Sequence, residues 1–182
     1  MKRYILIAAA LLFASSSVVQ AQEIKPYAGV GVGGYSLDFG LTSSETVVGG
    51  FVYFGVDLHE NIAAEVRVGT TANASYLNVI DYGVDWMISY FAKPQLELAD
   101  GFKVYALLGG TTMKTQFGSN LPGSLTNTST DFSYGGGAEF KVSGQQSIGI
   151  EWVQYAKNAD ITNPVFPGLD VSGFSATFKH QF

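Results

Sequence analysis

The chain has no cysteine, which excludes a disulfide framework and any thiolate metal centre. It is poor in basic residues, ten Lys and Arg against fifteen Asp and Glu, so it offers no basic patch for nucleic acid. Histidine is equally scarce, with only His59 and His180. No His or carboxylate cluster has metal-ligand spacing, and neither a metal nor a cofactor is expected. Beyond residue 21 no run reaches the roughly 18 apolar residues of a membrane helix, and none sustains a helical period. Backbone pairing and side-chain packing are left to hold the fold.

The first residues form a separate element. Lys2 and Arg3 precede an apolar stretch from Tyr4 to Ala14, and Val19-Gln20-Ala21 supplies small residues for cleavage. This reads as a secretory signal peptide over residues 1–21. The apolar stretch is too short for a spanning helix, which needs about 20 residues. Residues 22–182 then form one domain. Removing the leader leaves eight basic and fifteen acidic residues, a formal charge of −7.

Glycine is abundant, 22 of 182 residues, against roughly 7% in average proteins. Many glycines sit inside strand-like runs, where they weaken pairing unless another group must come close. Eight strand-like segments follow the leader: Lys25 to Leu37, Thr46 to Leu58, Ile62 to Thr71, Val79 to Ala92, Phe102 to Met113, Asp131 to Val142, Ser147 to Tyr155 and Val171 to Phe182. In the third, Ala64, Val66 and Val68 oppose Glu65, Arg67 and Gly69. In the last, Phe174, Ala176, Phe178, His180 and Phe182 oppose Ser175, Thr177, Lys179 and Gln181. Each strand therefore separates an apolar from a polar face. In the fourth, Val84, Trp86, Ile88 and Tyr90 are expected to face out, with Met87 and Phe91 in.

Turns and loops alternate in length. His59-Glu60-Asn61 and Ser143 to Gln146 are short, and Lys93 to Gly101 is somewhat longer. Asp38 to Glu45, Ala72 to Asn78, Lys114 to Thr130 and Ala156 to Asp170 are longer and polar, the third with a flexible-loop composition. Short periplasmic turns and long outer loops mark an outer-membrane barrel. An even strand number returns both termini to the periplasmic side. Alternation alone also suits a soluble lipocalin-like barrel. Three features favour the membrane: glycines share the charged face, as a crowded lumen requires; aromatics recur near strand ends (Tyr27, Tyr35, Phe39, Tyr82, Tyr90, Phe102, Tyr134, Tyr155), as in interfacial girdles; and the chain ends on an aromatic strand suited to closing a sheet. The expected fold is all-β, an eight-stranded antiparallel up-and-down transmembrane β-barrel.

The ordered series P-Y-A-G-V-G-V-G, A-A-E-V-R-V-G, V-Y-A-L-L-G, Y-G-G-G-A-E-F, I-E-W-V-Q-Y and terminal Phe182 resembles the small outer-membrane β-barrel family. That family includes the OmpA transmembrane domain, OmpX and the opacity-type porin-family proteins. The resemblance implies insertion by the barrel-assembly machinery, with Phe178, His180 and Phe182 in the assembly signal. His180 departs from the Tyr or other apolar residue usual there. It also implies an ionic network plugging the lumen.

The residues give the same network. Glu65, Arg67, Glu139, Glu151 and Lys179 all lie on polar faces, roughly 8 to 14 Å above the periplasmic rim. An eight-stranded barrel is filled by its own side chains, so these charges must pair. Arg67 and Lys179 are expected to bridge the three glutamates. Carboxylates then outnumber bases, which calls for a protonated acid or a more distant cation. A structural plug and a gated ion or proton path are both open readings.

Catalysis is not expected. His59 falls in a periplasmic turn and His180 near the periplasmic end, so a nucleophile at the outer leaflet has no base. Asp38, Asp81, Asp131 and Asp170 are candidate acids for a paired-carboxylate site, but aspartates at strand ends more often form turns. Gly29-x-Gly31-x-x-Gly34 lacks the following helix of a dinucleotide site. The expected role is envelope structure, as a monomer in contact with outer-membrane lipid and lipopolysaccharide. The alternative is an adhesin or ligand-binding barrel using its outer loops, among them the apolar tip Asn163 to Pro167; a narrow pore or lipid A-modifying enzyme is less favoured. The loops' few basic residues, mainly Lys114 and Lys157, argue against strong attachment to polyanions.

Overall fold

The computed structural model describes residues 24–38, 44–76, 80–119, 125–159 and 168–182. The proposed leader and the proline-bounded tip at 163–167 lie outside these residues. The strands are β1 (Lys25–Asp38), β2 (Glu45–His59), β3 (Ile62–Thr71), the short β4 (Ala74–Tyr76), β5 (Ile80–Ala99), β6 (Phe102–Ser119), β7 (Leu125–Lys141), β8 (Gln146–Ala159) and β9 (Leu169–Gln181). All pairings are antiparallel. They run β3-β2-β1-β9-β8-β7-β6-β5, and β3 pairs with β5 to close the sheet. β4 extends the β3 side of β5. The eight long strands thus make an up-and-down barrel without a free edge along its closed wall.

Each strand keeps one face in and one out. On β3, Ala63, Glu65, Arg67 and Thr71 are buried inside, while Val66 and Val68 are exposed on the outer wall. Val30, Val52, Phe54, Ile150 and Phe174 belong to the same exposed belt. A large continuous apolar exterior around a barrel is a lipid-facing surface. The end with the short turns at Glu60-Asn61 and Asp100-Gly101 is the periplasmic end; Gly101 takes a left-handed φ of 74° there.

Four strands are longer than the sequence suggests, β8 among them, which runs to Ala159 and so takes the first four residues of the expected loop from Ala156 to Asp170. β5 continues past Ala92 to Ala99, so most of the expected link from Lys93 to Gly101 is strand. Pro94 masked this continuation. Its partner Ile62 is the last register position with β3, and the β5–β6 ladder passes from Ala92↔Leu108 directly to Gln95↔Tyr105. The missing N–H thus falls at a gap in pairing. β6 and β7 also extend through much of the expected flexible loop from Lys114 to Thr130, pairing up to Phe117↔Leu125. Threonines at 126, 128 and 130 read as loop by polarity, yet their β-branching suits a strand. The expected loop from Ala72 to Asn78 contains β4.

Two further expectations are corrected. Val84 points inward and is fully buried, because the register shifts between Val84 and Trp86 and the bulge turns the strand over. Tyr27, Tyr35 and Tyr155 are buried in the lumen rather than set in a girdle. The outer aromatic cluster instead joins Phe132, Tyr134 and Trp152, with ring centroids 6.2 and 6.1 Å apart. Tyr27 and its neighbours are admitted by glycine. In the β1–β2 register Tyr27 faces Gly55, Gly29 faces Tyr53 and Gly31 faces Phe51. A Cβ at any of these glycines would fall within the opposing ring.

Candidate functional site: the lumen ionic layer

The lumen has two layers of different chemistry. Nearer the outer end, Leu37, Val84, Met87, Leu107, Met113, Val153, Leu169 and Val171 belong to one buried apolar cluster with Tyr35 and Tyr155. Between this cluster and the charges runs a hydroxyl chain. Ser89 and Thr111 share a 2.8 Å hydrogen bond, and Ser133 donates at 2.6 Å to the Tyr155 carbonyl. Below lies the ionic layer.

The structure brings Glu65, Arg67, Glu139, Glu151 and Lys179 together there, from β3, β7, β8 and β9. Arg67 is the bridge across the lumen. Its Nε donates to Glu65 Oε1 at 2.6 Å, Nη2 donates to Glu151 Oε2 at 3.0 Å, and Nη1 also engages Glu151. Its guanidinium carbon lies 4.7 Å from the Phe51 ring centroid and 5.1 Å from that of Phe91. The planar fork thus meets two carboxylates while its faces rest on aromatic rings. Lys179 pairs with Glu139.

A member unforeseen from the sequence completes the charge balance. Lys93, carried inward by the extended β5, lies 3.7 Å from Glu65 and 3.7 Å from Glu139. Its Nζ is 4.0 Å from the Tyr105 ring centroid, within cation–π range. Three carboxylates therefore face three cations, and the expected surplus of carboxylate disappears. Tyr27 donates to Glu65 Oε2 and Tyr105 to Glu151 Oε2, each at 3.0 Å. Glu65, Arg67, Lys93, Glu151 and Lys179 are each less than 5% exposed. Buried charges need this degree of pairing and hydrogen bonding. The parity Ser89, Phe91, Lys93 would have placed Lys93 inside, had the strand been carried through Pro94.

The remaining candidates lie outside the ionic layer. His59 sits at the β2–β3 turn, accepting from the Asn61 amide at 3.3 Å. His180 is partly buried on β9, its ring 5.2 Å from Phe182 in an edge-on arrangement. Phe178 and Phe182 are exposed on the outer wall, and the Phe182 amide donates to the Pro26 carbonyl at 3.0 Å. Asp38 faces Asp170 across β1 and β9, whereas Asp131 faces Thr111 on β6 and Asp81 lies in β5 beside Ser75. Asp81 and Asp131 are thus strand residues rather than turn formers. Among the described residues no three His, Asp or Glu side chains form a metal-ligating group.

A closed antiparallel barrel with an apolar exterior and a charged interior is a membrane-spanning barrel of the outer-membrane type. The profile of the outer membrane protein β-barrel domain matches residues 5–182, and the chain belongs to that family. Its place is the outer membrane. Neisserial surface protein A is similar in structure, with a TM-score of 0.71 at 13% identity over 88% of this chain and all of that one. Ail, the attachment invasion locus protein of Yersinia pestis, gives 0.66 at 16% identity with the same coverage. A major outer membrane protein of Thermus thermophilus gives 0.60 at 13% over 88% of this chain and all of that one. No curated protein matches by sequence.

Proposed function

We propose that this protein is a non-catalytic, monomeric barrel that supports the outer envelope and whose lumen is plugged by its ionic layer. The observation that carries this reading is Arg67, held between Glu65 and Glu151 from opposing parts of the wall and nearly without exposure. An apolar layer above it leaves little reason for ions to enter. Residues 1–21 act as the export signal, and Phe178, His180 and Phe182 form the segment presented to the assembly machinery. Planar-bilayer recording tests the plug. The wild-type barrel should conduct little, and Arg67→Ala should raise conductance. A steady wild-type conductance that disappears in Arg67→Ala would overturn the reading.

A second reading, an adhesin, rests on the extended β6–β7 ribbon at the outer end. The similar protein Ail bears attachment in its name and has been seen with a heparin analogue. In this chain the outer end carries only Lys114 and Lys157 as basic residues, and Lys114 is paired with Asp85 at 3.2 Å. A sulfated polyanion is therefore a poor match. Deleting residues 118–128 and measuring cell attachment tests this reading; unchanged attachment removes the ribbon from it.

A further inference from the structure

The basic residues of this chain are distributed unevenly. Of the eight after Arg3, six line the periplasmic half of the lumen: Lys25, Arg67, Lys93, Lys103, Lys141 and Lys179. Arg67, Lys93 and Lys179 are committed to the ionic layer. Lys103 and Lys141 are not. Among the described residues, neither has a carboxylate within ion-pair reach.

Both lysines line a polar cavity of about 660 Å³ that opens at the periplasmic mouth. They also line a narrower one of about 90 Å³, which reaches Glu139 and the buried Lys179. The first volume is within the usual range of small-molecule sites, roughly 300 to 1,000 Å³. Carboxylates share both linings, Asp57, Glu60 and Glu97 in the wider cavity and Glu97, Asp100 and Glu139 in the narrower, and some of them already accept hydrogen bonds. Asp57 accepts from Gln95 at 3.0 Å through one oxygen and from Gln181 at 2.8 Å through the other. Glu97 accepts the Gly101 amide at 3.0 Å, and Glu60 stands exposed at the turn. The register keeps the two lysines side by side. Lys103 is opposite Glu139, two residues before Lys141 on the same face of β7, and the Lys141 amide donates to the Gly101 carbonyl at 2.8 Å.

We infer that the periplasmic mouth is a binding site for a small oxyanion, phosphate or polycarboxylate, held by Lys103 and Lys141. The ammonium groups supply charge-assisted hydrogen bonds, and the low-dielectric walls concentrate their field on the opening. The anion enters from the periplasm and stops at the ionic layer. Such a site serves a structural barrel and an adhesin equally, so it stands apart from the choice between them.

The test is an NMR titration of the refolded full barrel in zwitterionic detergent, using inorganic pyrophosphate at constant ionic strength. Saturable shifts are expected at the amides of Gly101, Lys103 and Lys141, and none at Lys114. The K103Q/K141Q double variant should weaken binding about tenfold or more. K103R/K141R should retain it, and K114Q should match wild type. Heat-dependent gel mobility checks that each variant is folded. Shifts no different from those of sodium chloride, or an undiminished response in K103Q/K141Q, would overturn the site. Repeating the spectra in anionic-phospholipid nanodiscs identifies the source of the ligand. The same shifts without pyrophosphate point to a lipid headgroup, and shifts only with pyrophosphate point to a soluble anion; both outcomes support the site.

Discussion

The two halves of the lumen fill the same kind of space by opposite means. The outer half uses Leu37, Met87, Leu107, Met113 and Val171, as a soluble core would. The periplasmic half uses three carboxylates and three cations enclosed by Tyr27, Tyr105, Phe51 and Phe91. An apolar layer tolerates the loss of a member at the cost of a cavity. An ionic layer tolerates it less where the lost member is the closest partner, as Arg67 is for Glu65 and Glu151. The contrast shows that a barrel interior need not be polar throughout to be full. The charged layer links β3, β5, β7, β8 and β9 through side chains across the lumen.

The largest effect should come from Arg67→Ala, which strands Glu65 and Glu151 together. Breaking a buried pair costs about 3–5 kcal/mol, and the unfolding midpoint in denaturant should fall accordingly. Leu107→Ala opens a cavity in the apolar layer and should cost about 2–4 kcal/mol. Its conductance should remain that of wild type, since the ionic layer is intact. If Leu107→Ala conducts as strongly as Arg67→Ala, the division of roles between the layers fails. Lys93→Met should cost less, about 1–2 kcal/mol. Lys93 is 3.7 Å from each of its carboxylates, and both keep a closer partner. A loss as large as that of Arg67→Ala would make Lys93 the true centre of the layer. The smallest effect is expected for His180→Tyr, with unchanged stability and a small gain in the rate of folding by the assembly machinery, read by pulse-chase gel shift. A slower rate would remove His180 from the proposed signal.

Much of this was legible in the sequence because alternation reports directly on a two-faced wall. Glu65 and Arg67 between Ala64, Val66 and Val68 define the lumen side of β3 without further information. The missing parts have specific causes. Pro94 is a strong stop signal, and only the gap in pairing around it lets β5 carry Lys93 inside. Thr126, Thr128 and Thr130 look like loop because a ribbon beyond the lipid has no apolar face to display. The bulge after Val84 reverses the alternation of β5, and nothing in a window of single residues announces it. The apolar outer layer was hidden because its members come from six strands, none of which gives more than four.

The pairing of aromatics with glycines along β1 and β2 has a consequence for how the barrel assembles. A slip of two residues keeps every side chain on its proper face, so hydrophobic pattern alone would not reject it. Slipped one way, Tyr27 meets Tyr53 and Gly31 meets Gly49. Slipped the other way, Gly29 meets Gly55 and Tyr27 meets Asp57. Either error leaves rings colliding or a hole where a ring belongs. The first hairpin therefore carries its own check on alignment, separate from the strand that shuts the wall.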